Sequence, residues 1–255
     1  MKIFVCVKHV PDTAATIKVS KDKGYDDTDV KFIANPYDEF GIEAAVTLTE
    51  KEEGEVVILT VGPEDAVSTV RGAMAMGAHR AILVKTETRF LDSALTAKAL
   101  KTAMEKDGLG DMVFTGKGSV DTESFQTQYR LANALGHPIV NEVCALSLDS
   151  GRVLATRESG AGEKQIIEMG IPCVVGATKG LNEPRYPRFP DIMKARKKQI
   201  REMSLSDFGI DASQGTVRLK KLEVVPERSV ARMMEGSVDD QVTELVRILK
   251  KEKVL

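Results

Sequence analysis

The strongest constraint on the fold is an alternation, over residues 2–136, of short apolar runs with amphipathic stretches. Four runs rich in β-branched residues are predicted strands: 2–8, 55–62, 81–85 and 111–116. Four intervening stretches repeat apolar residues at the i, i+3, i+4 spacing of helices: 38–53, 63–77, 92–106 and 122–136. Strands and helices that alternate in this way form a parallel sheet covered on both faces. The sequence therefore predicts an α/β fold with a doubly wound, mostly parallel sheet.

Capping signals support these predicted boundaries. Asp92 and Thr122 lie at N-cap positions, and Gly77 and Gly136 lie where a glycine ends a helix. After Gly136 the pattern predicts four more strands: 139–148, 151–158, 164–169 and 171–177.

The last part of the chain is less regular. A proline-rich loop begins at residue 181 and passes into a basic, helix-like stretch that ends near 203. Residues 204–236 are polar and weakly periodic, and an amphipathic helix is predicted at 238–253. We expect an α/β domain over residues 1–203 and a C-terminal arm over 204–255. The arm either wraps a partner chain or packs on its own domain.

Charge and composition exclude several classes of protein. The chain has 36 basic and 38 acidic side chains among 255 residues, and this net charge of −2 disfavours a dedicated nucleic-acid binder. No apolar run approaches the roughly 18 residues of a membrane-spanning helix. The three cysteines are odd in number and widely spaced, which fits neither a disulfide framework nor a zinc site. We expect a globular protein without a metal site in a reducing compartment, the cytoplasm.

The most specific local feature is GKGSVDTESFQT, residues 116–127, which follows a predicted strand and opens into a predicted helix. Its two glycines let the backbone approach a ligand, and Thr122, Ser124 and Thr127 add hydroxyl groups. Ligands of open parallel sheets bind outside the carboxyl ends of strands, where this segment falls. It matches neither the P-loop nor the GxGxxG pattern. Taken alone, it fits either a phosphate-binding turn or an ordinary tight turn.

Other candidate sites are weaker. Residues 34–38 lie just before a predicted helix, where Asn35 is held extended by the proline after it, and residues 61–63 end a predicted strand. For both segments the residues favour a plain helix start over a ligand site. The histidines are scattered, and no Ser-His-Asp or Cys-His arrangement is present. No catalytic residue is therefore predicted.

A basic segment near the end of the α/β region has two interpretations. Seven Lys and Arg residues lie within 185–201, with Tyr186 and Phe189 between them. An apolar anchor among charges suits a transient protein contact. A solvated charged face has the same composition, so the residues alone leave both interpretations open.

Six segments together indicate a family: VCVKHVPDT (5–13), ANPYDEFGIEAA (34–45), LTVGPEDA (59–66), AMAMGAHRA (73–81), DMVFTGKGSVDTESFQTQ (111–128) and LNEPRYPRFPDIMKARKK (181–198). On these residues the chain resembles the beta subunit of electron transfer flavoproteins over essentially its whole length. The last segment is the most specific. The resemblance implies an adenine-nucleotide-binding, Rossmann-like fold in a heterodimer, whose alpha subunit holds most of the redox FAD.

The resemblance also implies a ligand. Beta subunits of this family commonly hold a buried AMP, which has a structural role. By position, the contacts to AMP fall on Cys6, Asn35, Pro36, Tyr37, Asp38, Val61, Gly116, Lys117, Gly118, Ser119, Val120, Asp121, Thr122, Glu123, Ser124, Phe125, Gln126 and Thr127.

Docking partners are implied in the same way. In the family an extended loop, here about residues 177–199 and called the recognition loop, docks acyl-CoA-type or other flavin dehydrogenases through one apolar anchor. Phe189 takes the anchor position, where leucine is usual. The implied contact residues are Leu181, Asn182, Glu183, Pro184, Arg185, Tyr186, Phe189, Ile192, Met193, Lys194 and Lys197. Glu158 matches a glutamate that pairs with an alpha-subunit arginine. The electrons pass on to a membrane quinone oxidoreductase.

A second subfamily provides the alternative interpretation of the ligand and the function. Its members bind a second FAD in place of AMP, bifurcate electrons from NADH, and usually lack the LNEPRY form of the loop, which is present here. However, Gly118-Ser119 stands where Gln-Ala is usual, and Glu123-Ser124 replaces Asp-Cys or a similar pair. We therefore expect a non-catalytic, AMP-binding electron-transfer subunit, with the bifurcating type as the alternative.

Overall fold

The computed structural model describes residues 1–19, 26–160, 162–223, 226, 230–231 and 233–255. These residues form two compact units, Met1–Leu222 and Glu223–Leu255. Most of the undescribed positions near the C-terminus fall within the predicted arm. Residues 204–222, the first part of that arm, belong to the first unit, and Leu205 and Ile210 are buried in its core.

A large sheet lies at the centre of the first unit. The strands are β1 (Lys2–Cys6), β2 (His9–Pro11), β3 (Phe32–Ala34), β4 (Glu55–Gly62), β5 (Arg80–Lys85), β6 (Met112–Gly116), β7 (Ile139–Asp149), β8 (Arg152–Glu158), β9 (Lys164–Gly170), β10 (Cys173–Ala177) and β11 (Ile200–Ser204). Nine of them form one sheet in the order β11-β5-β4-β1-β6-β10-β7-β8-β9. The strands from β11 to β7 run parallel, whereas β8 and β9 extend the sheet in antiparallel pairing. The separate β2–β3 ribbon is antiparallel.

Helices cover both faces of this sheet. They are α1 (Pro36–Lys51), α2 (Val67–Ala75), α3 (Ser93–Asp107), α4 (Thr127–Leu135), α5 (Phe189–Ala195) and, in the second unit, α6 (Val238–Lys251). Helices α1, α2 and α5 contribute to one hydrophobic core, and α3 and α4 to the other. Successive side chains of β1 alternate between them: Ile3 and Val5 enter the first core, and Phe4 enters the second. The predicted doubly wound α/β fold is confirmed, and burial on both faces explains the continuous apolar runs.

The helix predicted at 122–136 begins five residues later, at Thr127, and its N-cap is Gln126. The prediction of Thr122 as the N-cap is therefore wrong. Glu123 and Phe125 have φ angles of 45° and 49°, in the left-handed region, which a right-handed helix cannot include. The residues between β6 and α4 form an irregular loop instead.

The basic stretch before residue 203 is also not one helix. Helix α5 ends at Ala195, and Ile200–Ser204 form strand β11, which pairs in parallel with β5. The open edge of β5 supplies hydrogen-bonding partners for this segment, and Met203 is buried beneath it. Tertiary pairing thus overrides the local helical pattern.

Candidate functional site

A pocket of about 410 Å³ lies at the carboxyl edge of the central strands. Strand β1 marks the switch point of the sheet, because β4 pairs with it on one side and β6 on the other. Beyond β4 the sheet continues with β5, and beyond β6 it continues with β10. The chain segments that follow β1, β4, β5 and β6 all line the pocket. Its volume lies within the range of small-molecule sites, and ligands of open α/β sheets bind at this position.

Asn35 and Asp38, at the start of α1, hold the loop after β6 against the end of β1. The Asn35 amide donates to the Gly118 carbonyl (2.9 Å) and accepts from the Val120 N–H (3.1 Å). The Asp38 carboxylate accepts from the backbone N–H groups of Lys8 (2.7 Å) and Gly116 (2.8 Å). The two segments that the sequence singled out separately therefore form one hydrogen-bonded cradle.

Glycine is required twice in this cradle. A Cβ on Gly116 would lie 2.5 Å from Asp38 Oδ1 and 2.9 Å from the backbone carbon of Tyr37, so no side chain fits there. A Cβ on Gly118 would overlap the ring of Phe125. The Phe125 ring occupies the space beside Gly118 and also lines the pocket.

Most of the predicted ligand contacts surround the pocket, and six do not. The lining includes Cys6, Asn35, Asp38, Val61, Gly116, Gly118, Ser119, Thr122, Ser124, Phe125, Gln126 and Thr127. The predicted residues outside the lining are Pro36, Tyr37, Lys117, Val120, Asp121 and Glu123. Some of these support the cradle: Tyr37 packs beneath Gly116, Lys117 Nζ lies 5.0 Å from the Tyr37 ring centroid, and Asp121 pairs with Lys8 (2.7 Å).

Several lining residues were missed by sequence reasoning. Thr86 and residues 88–93 follow β5 at the same sheet edge, so the rule that ligands bind at the carboxyl ends of strands could have found them. Lys8 and His9 follow β1 and could have been found in the same way. Val217, Arg218 and Leu219 also line the pocket, and no signal in their sequence indicates it.

The N-terminus of helix α4 is the feature of the pocket that suits an anionic ligand. His9 and Thr115 also line the pocket, but His9 Nε2 lies 3.6 Å from Asp65 Oδ1, and Thr115 Oγ1 is buried away from the accessible space. Helix α4 points its N-terminus at the same space, with neither a capping side chain nor an acidic residue in its first turn. Helix α6, by contrast, has a capping box together with Asp239 and Asp240. An uncapped helix N-terminus favours an anion such as a phosphate.

Both charge and burial shape the electrostatics of the pocket. Lys8 pairs with Asp121, and Arg89 pairs with Asp65 (2.7 Å), whereas Arg218 pairs with no carboxylate among the described residues. Burial raises the pKa of Asp38 to about 7, although N–H donors from Lys8, Asn35 and Gly116 oppose the shift. Burial likewise raises the pKa of the Cys6 thiol well above its usual range, so Cys6 is a neutral lining group.

The recognition loop projects large apolar side chains from a fixed base. Tyr186 is 93% exposed and Phe189 is 75% exposed, and Ile192 and Met193 are also exposed on α5. Single exposed apolar residues are ordinary, but four within eight residues form a patch. Among the other predicted contact residues, Glu183, Lys194 and Lys197 are exposed, and Leu181 and Pro184 are half-buried.

Ion pairs and helix caps fix the base of this loop. Arg185 bonds both Glu43 (2.8 Å) and Glu50 (2.6 Å) of α1, and the Asn182 amide donates to the Phe40 carbonyl (2.9 Å). Arg71 of α2 donates to the Ala195 carbonyl (2.7 Å) at the C-terminal end of α5. The exposed patch therefore stands on an anchored segment.

The remaining features of interest are Glu158, possible metal sites and possible membrane-spanning helices. Glu158 is exposed at the end of β8 and is not part of the pocket lining. Within the described ranges, no cluster of three or more His, Cys, Asp or Glu side chains could hold a metal ion. Nor does any helix of the described chain have the length and apolarity to cross a membrane.

The sheet order and the switch-point pocket define an α/β protein of the Rossmann-like, doubly wound class. Residues 23–208 match the model of the electron transfer flavoprotein domain. The chain is 35% identical to electron transfer flavoprotein subunit beta of Bacillus subtilis, with 99% of this chain and 98% of that one covered. The same-named subunits of Bradyrhizobium diazoefficiens (36% identity, 99% and 98% covered) and Mus musculus (34%, 97% and 98%) are also similar. The chain belongs to the electron transfer flavoprotein family and is of the beta-subunit type.

Proposed function

We propose that this chain is the beta subunit of a heterodimeric electron transfer flavoprotein and holds AMP as a structural ligand. One observation supports this above the others: Asn35 and Asp38 hold the 116–127 loop at the edge of a pocket that the N-terminus of α4 faces. The uncapped N-terminus of α4 suits the phosphate, and the apolar residues Leu59, Val61 and Leu100 suit a purine ring. A ligand held in this way stabilises the folded chain only.

In this proposal the chain contributes docking and not catalysis. The recognition loop, with Phe189 as its anchor, docks an acyl-CoA-type or other flavin dehydrogenase. An alpha subunit holds most of the FAD, which supplies the electron-carrying chemistry and passes electrons to a membrane quinone oxidoreductase. The exposed patch on an anchored base supports the docking role, because a rigid anchor loses little entropy on binding.

The proposal also includes the compartment of the protein and the role of Glu158. All three cysteines are free, which fits a reducing compartment, and we expect the cytoplasm. We also expect Glu158 to face an arginine of the alpha subunit, since it is exposed at a strand end.

The test is to extract nucleotides from the purified complex of this chain with its alpha subunit and count FAD and AMP per heterodimer. We expect one FAD and one AMP. Two FAD and no AMP would replace this proposal with the bifurcating type, in which the same loop holds a second, NADH-reducible FAD. A complex with FAD but no second nucleotide would contradict both.

A further inference from the structure

The pocket has a wall from outside the α/β framework. Val217, Arg218 and Leu219 line it, although they follow the last strand of the sheet by more than ten residues. The segment is anchored upstream, where Leu205 and Ile210 are buried in the core. It belongs to the first compact unit, which ends at Leu222. We call residues 216–219 the strap.

A single buried carboxylate holds the strap in place. Asp92 is 6% exposed, and its Oδ2 accepts hydrogen bonds from the Thr216 N–H (2.8 Å), the Thr216 hydroxyl (3.0 Å) and the Val217 N–H (2.8 Å). Its other oxygen, Oδ1, accepts from the Ala94 N–H (2.6 Å) and caps α3. One side chain thus joins the start of a framework helix to the strap.

The residues around Asp92 allow the strap to approach it closely and strengthen the hydrogen bonds between them. A Cβ on Gly215 would lie 3.0 Å from the Asp92 Cβ, so glycine allows the strap its closest approach. Although burial opposes it, the hydrogen bonds from Val217, Ala94 and Thr216 lower the pKa of Asp92 to about 2. The carboxylate is therefore charged at neutral pH, and bonds from N–H and O–H groups to a charged acceptor are the stronger kind.

We propose that the strap is a closing wall of the nucleotide pocket and that Asp92 is the positioning residue that latches it, so that release of the ligand requires the latch to open. This inference rests on the proposed function for the identity of the ligand. Asp92 itself also lines the pocket, which places the latch beside the space that it closes. Opening the latch leaves three donors of the strap without their acceptor, and this penalty slows ligand exit.

The test uses Asp92→Asn in the complex with the alpha subunit. Asparagine is as good an N-cap as aspartate, so α3 keeps its start, but the amide removes the negative charge and the second acceptor oxygen. The complex is loaded with radiolabelled AMP and chased with unlabelled AMP. We expect release about 10-fold faster than in the wild type. The matched control is Asp207→Asn, which alters an exposed turn aspartate outside the pocket and should change release by less than about twofold.

A second variant tests the connection between Asp92 and the strap. Thr216→Val removes only the hydroxyl donor and should accelerate release about threefold. In the double variant the release rate should equal that of Asp92→Asn alone, since Thr216 acts through Asp92. Independent, multiplying effects would show that the two residues do not act together and would overturn the latch.

A readout without any nucleotide separates this inference from the proposed function. The backbone N–H groups of Thr216 and Val217 donate to Asp92 Oδ2, so hydrogen–deuterium exchange of the strap, followed by mass spectrometry, reports on the latch. In Asp92→Asn we expect faster exchange in residues 216–219 and unchanged exchange in β6, which is fully buried in the sheet. Faster exchange in a complex that holds no AMP would sustain the strap and contradict the proposed ligand. Retained AMP with unchanged release and exchange would sustain the ligand and overturn the strap.

Discussion

The pocket at the carboxyl edge of the sheet and the recognition loop are built in opposite ways. The pocket is concave. Its shape depends on hydrogen bonds between the side chains of Asn35 and Asp38 and nearby backbone groups, and on a glycine, Gly116, that admits no side chain. The recognition loop is convex, and its apolar tips at Tyr186 and Phe189 touch little of their own chain. Only its base is tied down, by charged side chains.

This difference separates the consequences of mutation in the two regions. A change in the pocket should alter ligand binding and folding together, because the same bonds serve both. A change at the tip of the recognition loop should alter partner docking and leave folding intact, because an exposed side chain adds little to stability. Four predictions test this separation, beginning with the largest expected effect.

Gly116→Ala should abolish AMP retention and destabilise the chain by about 3 kcal/mol, because the new Cβ would collide with Asp38 and the Tyr37 backbone. The measurement is AMP content after purification, together with urea denaturation. Gly72→Ala is the matched control: Gly72 lies in α2 with open space around it, so the change should be neutral or stabilising by up to about 1 kcal/mol. Normal AMP content in Gly116→Ala would show that the cradle tolerates a side chain.

The pocket should also give a pH-dependent stability through Asp38. Its folded-state pKa of about 7 lies above the unfolded value of 3.8, so the folded chain retains a proton that the unfolded chain releases. The contribution is fully present below pH 3.8 and is lost as pH rises to about 7. Between these two values the slope is about 1.4 kcal/mol per pH unit. The Cys6 thiol, whose pKa burial raises well above this window, also faces the carboxyl group.

The measurement is urea denaturation between pH 4.5 and 8 of the wild type and of Asp38→Asn. The difference between the two free energies of unfolding isolates Asp38 from other titrating groups, such as His9, whose pKa is lowered by burial. A difference that does not vary with pH would contradict the raised pKa.

At the recognition loop, Phe189→Ala should slow reduction of the complex by its dehydrogenase about 10-fold, which corresponds to about 1.4 kcal/mol of docking energy. The free energy of unfolding should stay within about 0.5 kcal/mol of the wild type. Leu109→Ala, an exposed leucine outside the loop, is the control for loss of surface apolar area. An unchanged reduction rate would remove Phe189 from the docking surface.

The smallest expected effect is at the base of the loop. Arg185→Met breaks the pairs with Glu43 and Glu50 and should cost about 1 kcal/mol of stability, with a two- to threefold loss of docking rate. Arg188→Met, which breaks only an exposed pair with Asp191, should change stability by less than about 0.5 kcal/mol. Equal effects of the two substitutions would show that the base is not specially anchored.

The helices predicted from the sequence were wrong at the loop between β6 and α4 and at strand β11, for a shared reason. Sequence periodicity predicted helix in both places, but the left-handed φ angles of Glu123 and Phe125 and the open edge of β5 decided otherwise. In both places partners remote in sequence take part: Asn35 bonds Gly118 and Val120 of the loop, and β5 pairs with β11. Patterns confined to one segment do not contain that information.

The sequence by itself determined the doubly wound sheet and the position of the 116–127 segment at its carboxyl edge. Those features follow from the periodicity within each segment and from the order of strands and helices along the chain. Only the tertiary structure decided that Asn35 and Asp38 clamp that segment and that Asp92 holds Thr216, which is 124 residues further along the chain. The physical reason is that a buried carboxylate is satisfied by whichever donors folding brings to it. Here most of those donors are backbone N–H groups, which every residue except proline has.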